Sequence, residues 1–385
     1  MKKLYILFMA GIISACSDLT DVENNIPEVT TGDVIDIGAR QATIAYTGNL
    51  DKGYYYLELS PSSTFQEGAT IKTAHPTGSQ WQTTGLLPGT TYYYRQCATD
   101  GLTTVNGPAK QFTTKPLVNI SSISLHPWNE PKALEHLSGE TELGLFYSDD
   151  ATKSDYKGLS NFRPTYSNGQ WLMPSDLEPS DEPHLFYAYA PYSTKATDKT
   201  RIPVSTRQQN IDYLCGSSTL VTATRCNADI TMHHALARII FHVTKDKESN
   251  VDISVSEYSI SRGLNSSLYF PIEGYLDLVR DTIDDQKLNE YLPRTLSSAA
   301  VITDTSTDME LYVIPFDFKD SQIDLQLSIG SNYTDILRTS IPAASWKAGY
   351  QYEYPVTVRR NSLEIGDVVI TPWTENNGGS IIIKN

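Results

Sequence analysis

Apolar and polar residues alternate with a period of two along most of this chain, the record left by strands that are half-buried in antiparallel sheets. In QATIAYT (Gln41–Thr47), Ala42, Ile44 and Tyr46 share one face. GYYYLELS (Gly53–Ser60), YYRQCAT (Tyr93–Thr99) and QFTT (Gln111–Thr114) continue the pattern. It returns at Val251, Ile253 and Val255, at Ile323, Leu325, Leu327 and Ile329, and at Tyr352, Tyr354, Val356 and Val358. In MHHALARIIFHV (Met232–Val243) neither alternate face is uniformly polar, which predicts one central strand covered on both sides. Helical periodicity is confined to short pieces, with one short helix expected near Asp281–Leu292. The pattern predicts an all-β protein.

One stretch breaks the alternation. Lys2 and Lys3 precede twelve uncharged residues, Leu4–Ala15 (LYILFMAGIISA). A membrane-spanning helix needs roughly 20 apolar residues, so this run reads as a secretory signal peptide over residues 1–15. Its end, Ile13-Ser14-Ala15-Cys16, resembles the lipobox of bacterial lipoproteins, in which the cysteine takes a diacylglycerol and its new amino terminus is acylated. More than one chain gives durable anchoring where a single one does not. The resemblance makes Cys16 the site of lipid attachment and implies a protein anchored to a membrane through that lipid. Residues 16–28 are polar and acidic with nothing to pack, and read as a tether. Asp18, Asp21 and Glu23 resemble, loosely, the acidic tag that sends Bacteroidetes lipoproteins to the outer face of the outer membrane.

The formal charge of −15 becomes −17 once Lys2 and Lys3 leave with the leader. A chain this acidic has no electrostatic footprint for nucleic acid. The 24 tyrosines against 10 phenylalanines suit wet β surfaces, because tyrosine packs its ring while its hydroxyl stays hydrated. Beyond Cys16 only Cys97, Cys215 and Cys226 remain, an odd number. They read as packed or partly exposed free thiols, with a Cys215–Cys226 disulfide as the alternative.

The chain predicts a first domain at residues 29–116. Leu86, Pro88, Thr90 and Tyr92 fall on the L-x-P-x-T-x-Y pattern of fibronectin type III domains, which this segment resembles. The resemblance implies a seven-stranded sandwich with a tyrosine corner, in which the tyrosine hydroxyl bonds the backbone upstream. Two departures stand out: Tyr46 replaces the family's early tryptophan, and Gln96 occupies the parity of Tyr92 and Tyr94, where an apolar residue is expected. Such a domain acts as a spacer or a binding module.

Further on, a series of pieces resembles the fimbrillin, or Mfa-like, family of Bacteroidales surface pilins: LGLFY (143–147), YSNGQW (166–171), FYAYAPY (186–192), MHHALARIIFHV (232–243), ELYVIPF (310–316), WKAGYQYEYPVTV (346–358) and ITPW (370–373). The resemblance implies two tandem β-sandwich lobes, expected at 117–249 and 250–385. It also implies fimbrial partner subunits joined by strand exchange, or host and microbial surface ligands. In shaft subunits of that family a trypsin-like protease cuts after an arginine and removes the first strand. Here no arginine lies between Arg95 and Arg163, and the expected first strand, within Lys115–Trp128, is arginine-free. The chain therefore fits a lipid-retaining anchor or accessory subunit, or an adhesin, better than a shaft subunit.

Chemistry is not expected. His234 and His242 would share a strand face yet stand over 25 Å apart at about 3.3 Å per residue, and His233 points the other way. The cysteines lack zinc-ligand spacing. Asp149-Asp150 and Asp284-Asp285 point to opposite faces of a strand. No calcium loop, nucleophile elbow or phosphate-binding glycine loop occurs. Neither a cofactor, a metal nor enzymatic activity is expected. Asp281-Thr282-Ile283 resembles the short O-glycosylation sequon of exported Bacteroides proteins. The rival function is a glycan-binding lipoprotein of a polysaccharide-uptake system, with Trp81, Trp128, Trp171, Trp346 and Trp373 as candidate platforms.

Overall fold

The computed structural model describes residues 28–374 and 381–382, apart from 49–52, 75, 129, 157, 208, 249–251, 265, 319–322, 331–334 and 343. The leader, Cys16 and most of the tether therefore lie outside the described residues, as does Val251. Among the described residues every regular element is a strand, and none of them forms a helix long and apolar enough to cross a membrane. The chain divides into two compact units, residues 1–116 and 117–385.

The first unit is a sandwich. One sheet orders Val34–Ile37, Gln41–Ala45 and Gln80–Thr84; the other orders Ile71–Ala74, Tyr54–Ser60, Thr91–Thr99 and Thr104–Asn106, with Lys110–Thr113 also paired to Thr91–Thr99. Ala42, Ile44 and Trp81 from the first sheet close on Leu57, Leu59, Tyr94 and Phe112 from the second. The tyrosine corner is present: the Leu87 amide donates to the Tyr92 hydroxyl at 3.0 Å. Both departures from the pattern are accommodated. Tyr46 packs edge-on to Trp81 and Tyr55. Gln96, 1% exposed, accepts from Trp81 Nε1 at 3.2 Å and donates to the Thr47 carbonyl at 2.6 Å, so its buried amide is satisfied on both sides.

The second unit begins with an eight-stranded sheet. Its order is Gly144–Asp149, His184–Ala190, Leu214–Ser218, Asn227–His234, Asn119–Leu125, Gln170–Leu172 and Thr165–Ser167, with Glu135–His136 also paired to Asn119–Leu125. The tight hairpin between the last two turns on Asn168 and Gly169, at φ +51° and +78°. A two-residue turn with both centres left-handed is one of the turns whose twist matches that of the flanking strands. Two further sheets face each other. One orders Thr307–Val313, Ala237–Lys245, Tyr350–Val358 and Leu363–Ile365, with Val369–Pro372 extending the same edge; the other orders Tyr291–Ile302, Ile253–Arg262, Ile323–Ile329 and Asp335–Ser340. Ile239, Phe241, Tyr352 and Tyr354 meet Ile260, Leu325 and Leu327 between them.

Two expectations need correction. Met232–Val243 is not one strand: Asn227–His234 belongs to the eight-stranded sheet and Ala237–Lys245 to the next, the changeover falling at Ala235–Leu236. Ile202–Ser205, from the first half of this unit, pairs with Phe270–Asp277 from the second, so hydrogen bonding links the two halves. The helix expected near Asp281–Leu292 is the strand Thr282–Asn289, followed by the start of Tyr291–Ile302.

Candidate functional site

The strand Asn119–Leu125 lies in the middle of the eight-stranded sheet. It pairs in parallel with Asn227–His234, Ile123 opposite Ile230 and Leu125 opposite Met232, and antiparallel with Gln170–Leu172 through Ile120 and Trp171. Ile120, Ile123 and Leu125 are at most 4% exposed and share a core with Phe186, Ile230 and Met232. Burying each such side chain is worth about 1.5–3 kcal/mol. Taking this strand out would open a groove lined by apolar side chains and unpaired backbone, so with the strand seated the sheet is closed.

The family-like pieces, far apart in sequence, converge between the sheets. The His234 ring stacks flat on Trp373, centroids 4.0 Å apart, and Tyr312 meets the same indole edge-on. His234 Nδ1 lies 2.8 Å from Asp212 Oδ1, both side chains fully buried, and Arg238 pairs with Glu310 at 2.5 Å. In WKAGYQYEYPVTV the Tyr352 hydroxyl bridges the Lys347 amide and the Ser345 carbonyl, and Trp346 Nε1 donates to the Tyr354 hydroxyl. These residues hold the fold together. His242 is separate, held between Asp308 at 2.7 Å and Glu353 at 2.9 Å. Burial pulls its pKa down, but hydrogen bonds to the two carboxylates and their charges outweigh that and raise it above 6.5.

His233 belongs to a third group that the sequence did not disclose. It sits directly opposite Cys215 in the pairing of Asn227–His234 with Leu214–Ser218. Cys215 Sγ lies 3.4 Å from His233 Nε2 and 3.2 Å from Asp281 Oδ1, and His233 Nε2 lies 3.0 Å from Asp281 Oδ1. Burial, then the Asp281 charge, pushes the Cys215 thiol well above its ordinary value. Burial also raises Asp281, but its hydrogen bonds to His233 and Cys215 and the charge of His233 hold it below the usual carboxylate range. The partners stand 18 and 48 residues from His233; only knowledge of the strand pairing could have joined them. Cys215 is a free thiol, as are Cys97 and Cys226.

The tryptophans do not form a platform. Trp81, Trp171, Trp346 and Trp373 are buried, and Trp128 is half-buried with its ring edge against His233. Tyr54, exposed, and Tyr56, half-buried, are neighbours on one strand face with their rings tilted by 48°.

Sandwich layers built only of strands, with four of the five tryptophans buried and an early strand seated at the centre of a large sheet, define the class of an all-β sandwich protein. A family model described as fimbrillin-like matches residues 135–373, more than half of the chain, and the chain belongs to that family. No curated protein matches it significantly. Among solved structures it is similar to a candidate cell adhesion protein from Bacteroides ovatus, at 14% identity and a TM-score of 0.52, over 69% of this chain and 100% of that one. It also matches a fimbrial protein from Bacteroides vulgatus at 14% identity and a TM-score of 0.49, over 67% of this chain and 99% of that one. At these identities the first likeness speaks for the fold alone.

Proposed function

We propose that this protein is a non-enzymatic, lipid-anchored fimbrillin of the outer-membrane surface, serving as a fimbrial anchor or accessory subunit or as an adhesin. The observation that carries the reading is the seated strand Asn119–Leu125 together with the absence of arginine between Arg95 and Arg163. A shaft subunit must lose its first strand to receive a neighbour's. This chain offers a trypsin-like enzyme no arginine in the approach to that strand, and Arg95 lies within the strand Thr91–Thr99, paired with Glu58 at 2.7 Å.

A retained amino-terminal half keeps Cys16 joined to the family domain. The acidic tether and the first unit then act as a spacer between membrane and family domain. Partner subunits would engage through their own donated strands or through other sheet edges. The test is replacement of Cys16 by serine. The unaltered protein is expected in the outer-membrane fraction and open to added protease on whole cells; Cys16→Ser is expected in the soluble fraction or medium. Unchanged membrane retention of the variant would refute lipid attachment at this residue.

A further inference from the structure

We propose that Cys215, His233 and Asp281 form a binding site for a zinc-class divalent cation, which would tie the eight-stranded sheet to the hairpin of Phe270–Asp277 and Thr282–Asn289. One thiol sulfur, one imidazole nitrogen and one carboxylate oxygen converge with all three atoms within 4.8 Å of one another. Around a tetrahedral zinc, with bonds of about 2.3 Å to sulfur and about 2.0–2.2 Å to nitrogen and oxygen, neighbouring ligand atoms stand about 3.3–3.6 Å apart. The observed separations of 3.4, 3.2 and 3.0 Å are those edges, slightly contracted.

The arrangement is not a nucleophile relay. Such a relay needs the thiol on one imidazole nitrogen and the acid on the other, whereas here both Cys215 and Asp281 address Nε2. Convergence on one point is what a shared ion requires. Thiolate and carboxylate together also carry the two negative charges that a divalent ion neutralises. A thiolate ligand disfavours calcium and magnesium and favours zinc.

The surroundings hold the three groups in place. Trp128 packs edge-on to the His233 ring at 4.4 Å. Asp281 sits at φ +56°, its amide bonded to the Asp277 carbonyl, while the Asp277 carboxylate accepts the Val279 and Arg280 amides. A cavity of about 620 Å³ lies on the Asp281 side of the group, lined in part by Trp128, Asp281 and Trp346.

Binding would exchange the Cys215 proton for the metal–sulfur bond, releasing that proton to solvent. The test is titration of the purified full chain with zinc chloride by calorimetry, and with cobalt(II) by absorption. One equivalent is expected to bind with proton release, to raise the melting temperature, and with cobalt to give a thiolate charge-transfer band and strong four-coordinate visible bands. Asp281→Asn suits the left-handed backbone at this position and His233→Gln lies partly exposed, so both variants test the site even if Cys215→Ser fails to fold. Each is expected to weaken binding at least about tenfold, the smaller effect of removing even a supporting residue, and Cys215→Ser to abolish the charge-transfer band. No binding, a stoichiometry unchanged in all three variants, or cobalt spectra without thiolate character would overturn the proposal.

Discussion

Gln96 stands where the alternation of its strand calls for an apolar side chain. Its place is explained once Trp81 is known to lie across the sandwich, because the indole N–H and the Thr47 carbonyl both need a partner in the same buried spot. Sequence parity identified the position as unusual; only the packing of two sheets supplies the reason. His242 is a second residue whose setting could not be read locally, since Asp308 and Glu353 come from the strands on either side of it. Its raised pKa has a definite sign. The stabilisation from the protonated ring is complete below the ordinary value of 6.5 and is lost as pH rises through the raised one. Thermal melts across that range are expected to show the unaltered protein losing its advantage over His242→Gln as the solution becomes alkaline. Parallel pH profiles for the two proteins would contradict this account.

At the scale of elements, the strands were largely legible, because alternation survives wherever one face meets a core. Two failures have physical causes. Thr282–Asn289 has no buried residue along its length, so no face imposes a period of two, and its charges mimic an exposed helix. The run through Met232–Val243 keeps apolar residues on both faces across the step at Ala235–Leu236, and a change of hydrogen-bonding partners leaves no trace in hydropathy. Gly349 shows an element boundary that the sequence did mark. It turns the chain into Tyr350–Val358 at φ +73°, and a Cβ there would come within 2.7 Å of the Trp128 Cβ. Gly349→Ala is expected to lower stability by more than about 1 kcal/mol, since both the backbone and the space oppose it, read as a shift in the urea midpoint with an unchanged slope. A midpoint equal to that of the unaltered protein would show that Trp128 yields freely.

For the whole molecule, the all-β class and the family were legible, the latter because its pieces are the residues that pack between the sheets: His234, Tyr312 and Trp373 meet there from three separate segments. The convergence of Cys215, His233 and Asp281 was not legible, because three ligand residues on separate elements carry no common spacing. The interlocking of the two halves was equally hidden, since it depends on which edge Ile202–Ser205 chooses.

The central claim is that the chain works with its first family strand and its amino-terminal half still in place. The most direct test is the intact mass and amino terminus of the mature protein recovered from the surface of cells. A chain that begins at Cys16, carries acyl mass and retains residues 119–125 is the predicted result; a chain beginning near residue 120 and found in filaments would contradict it.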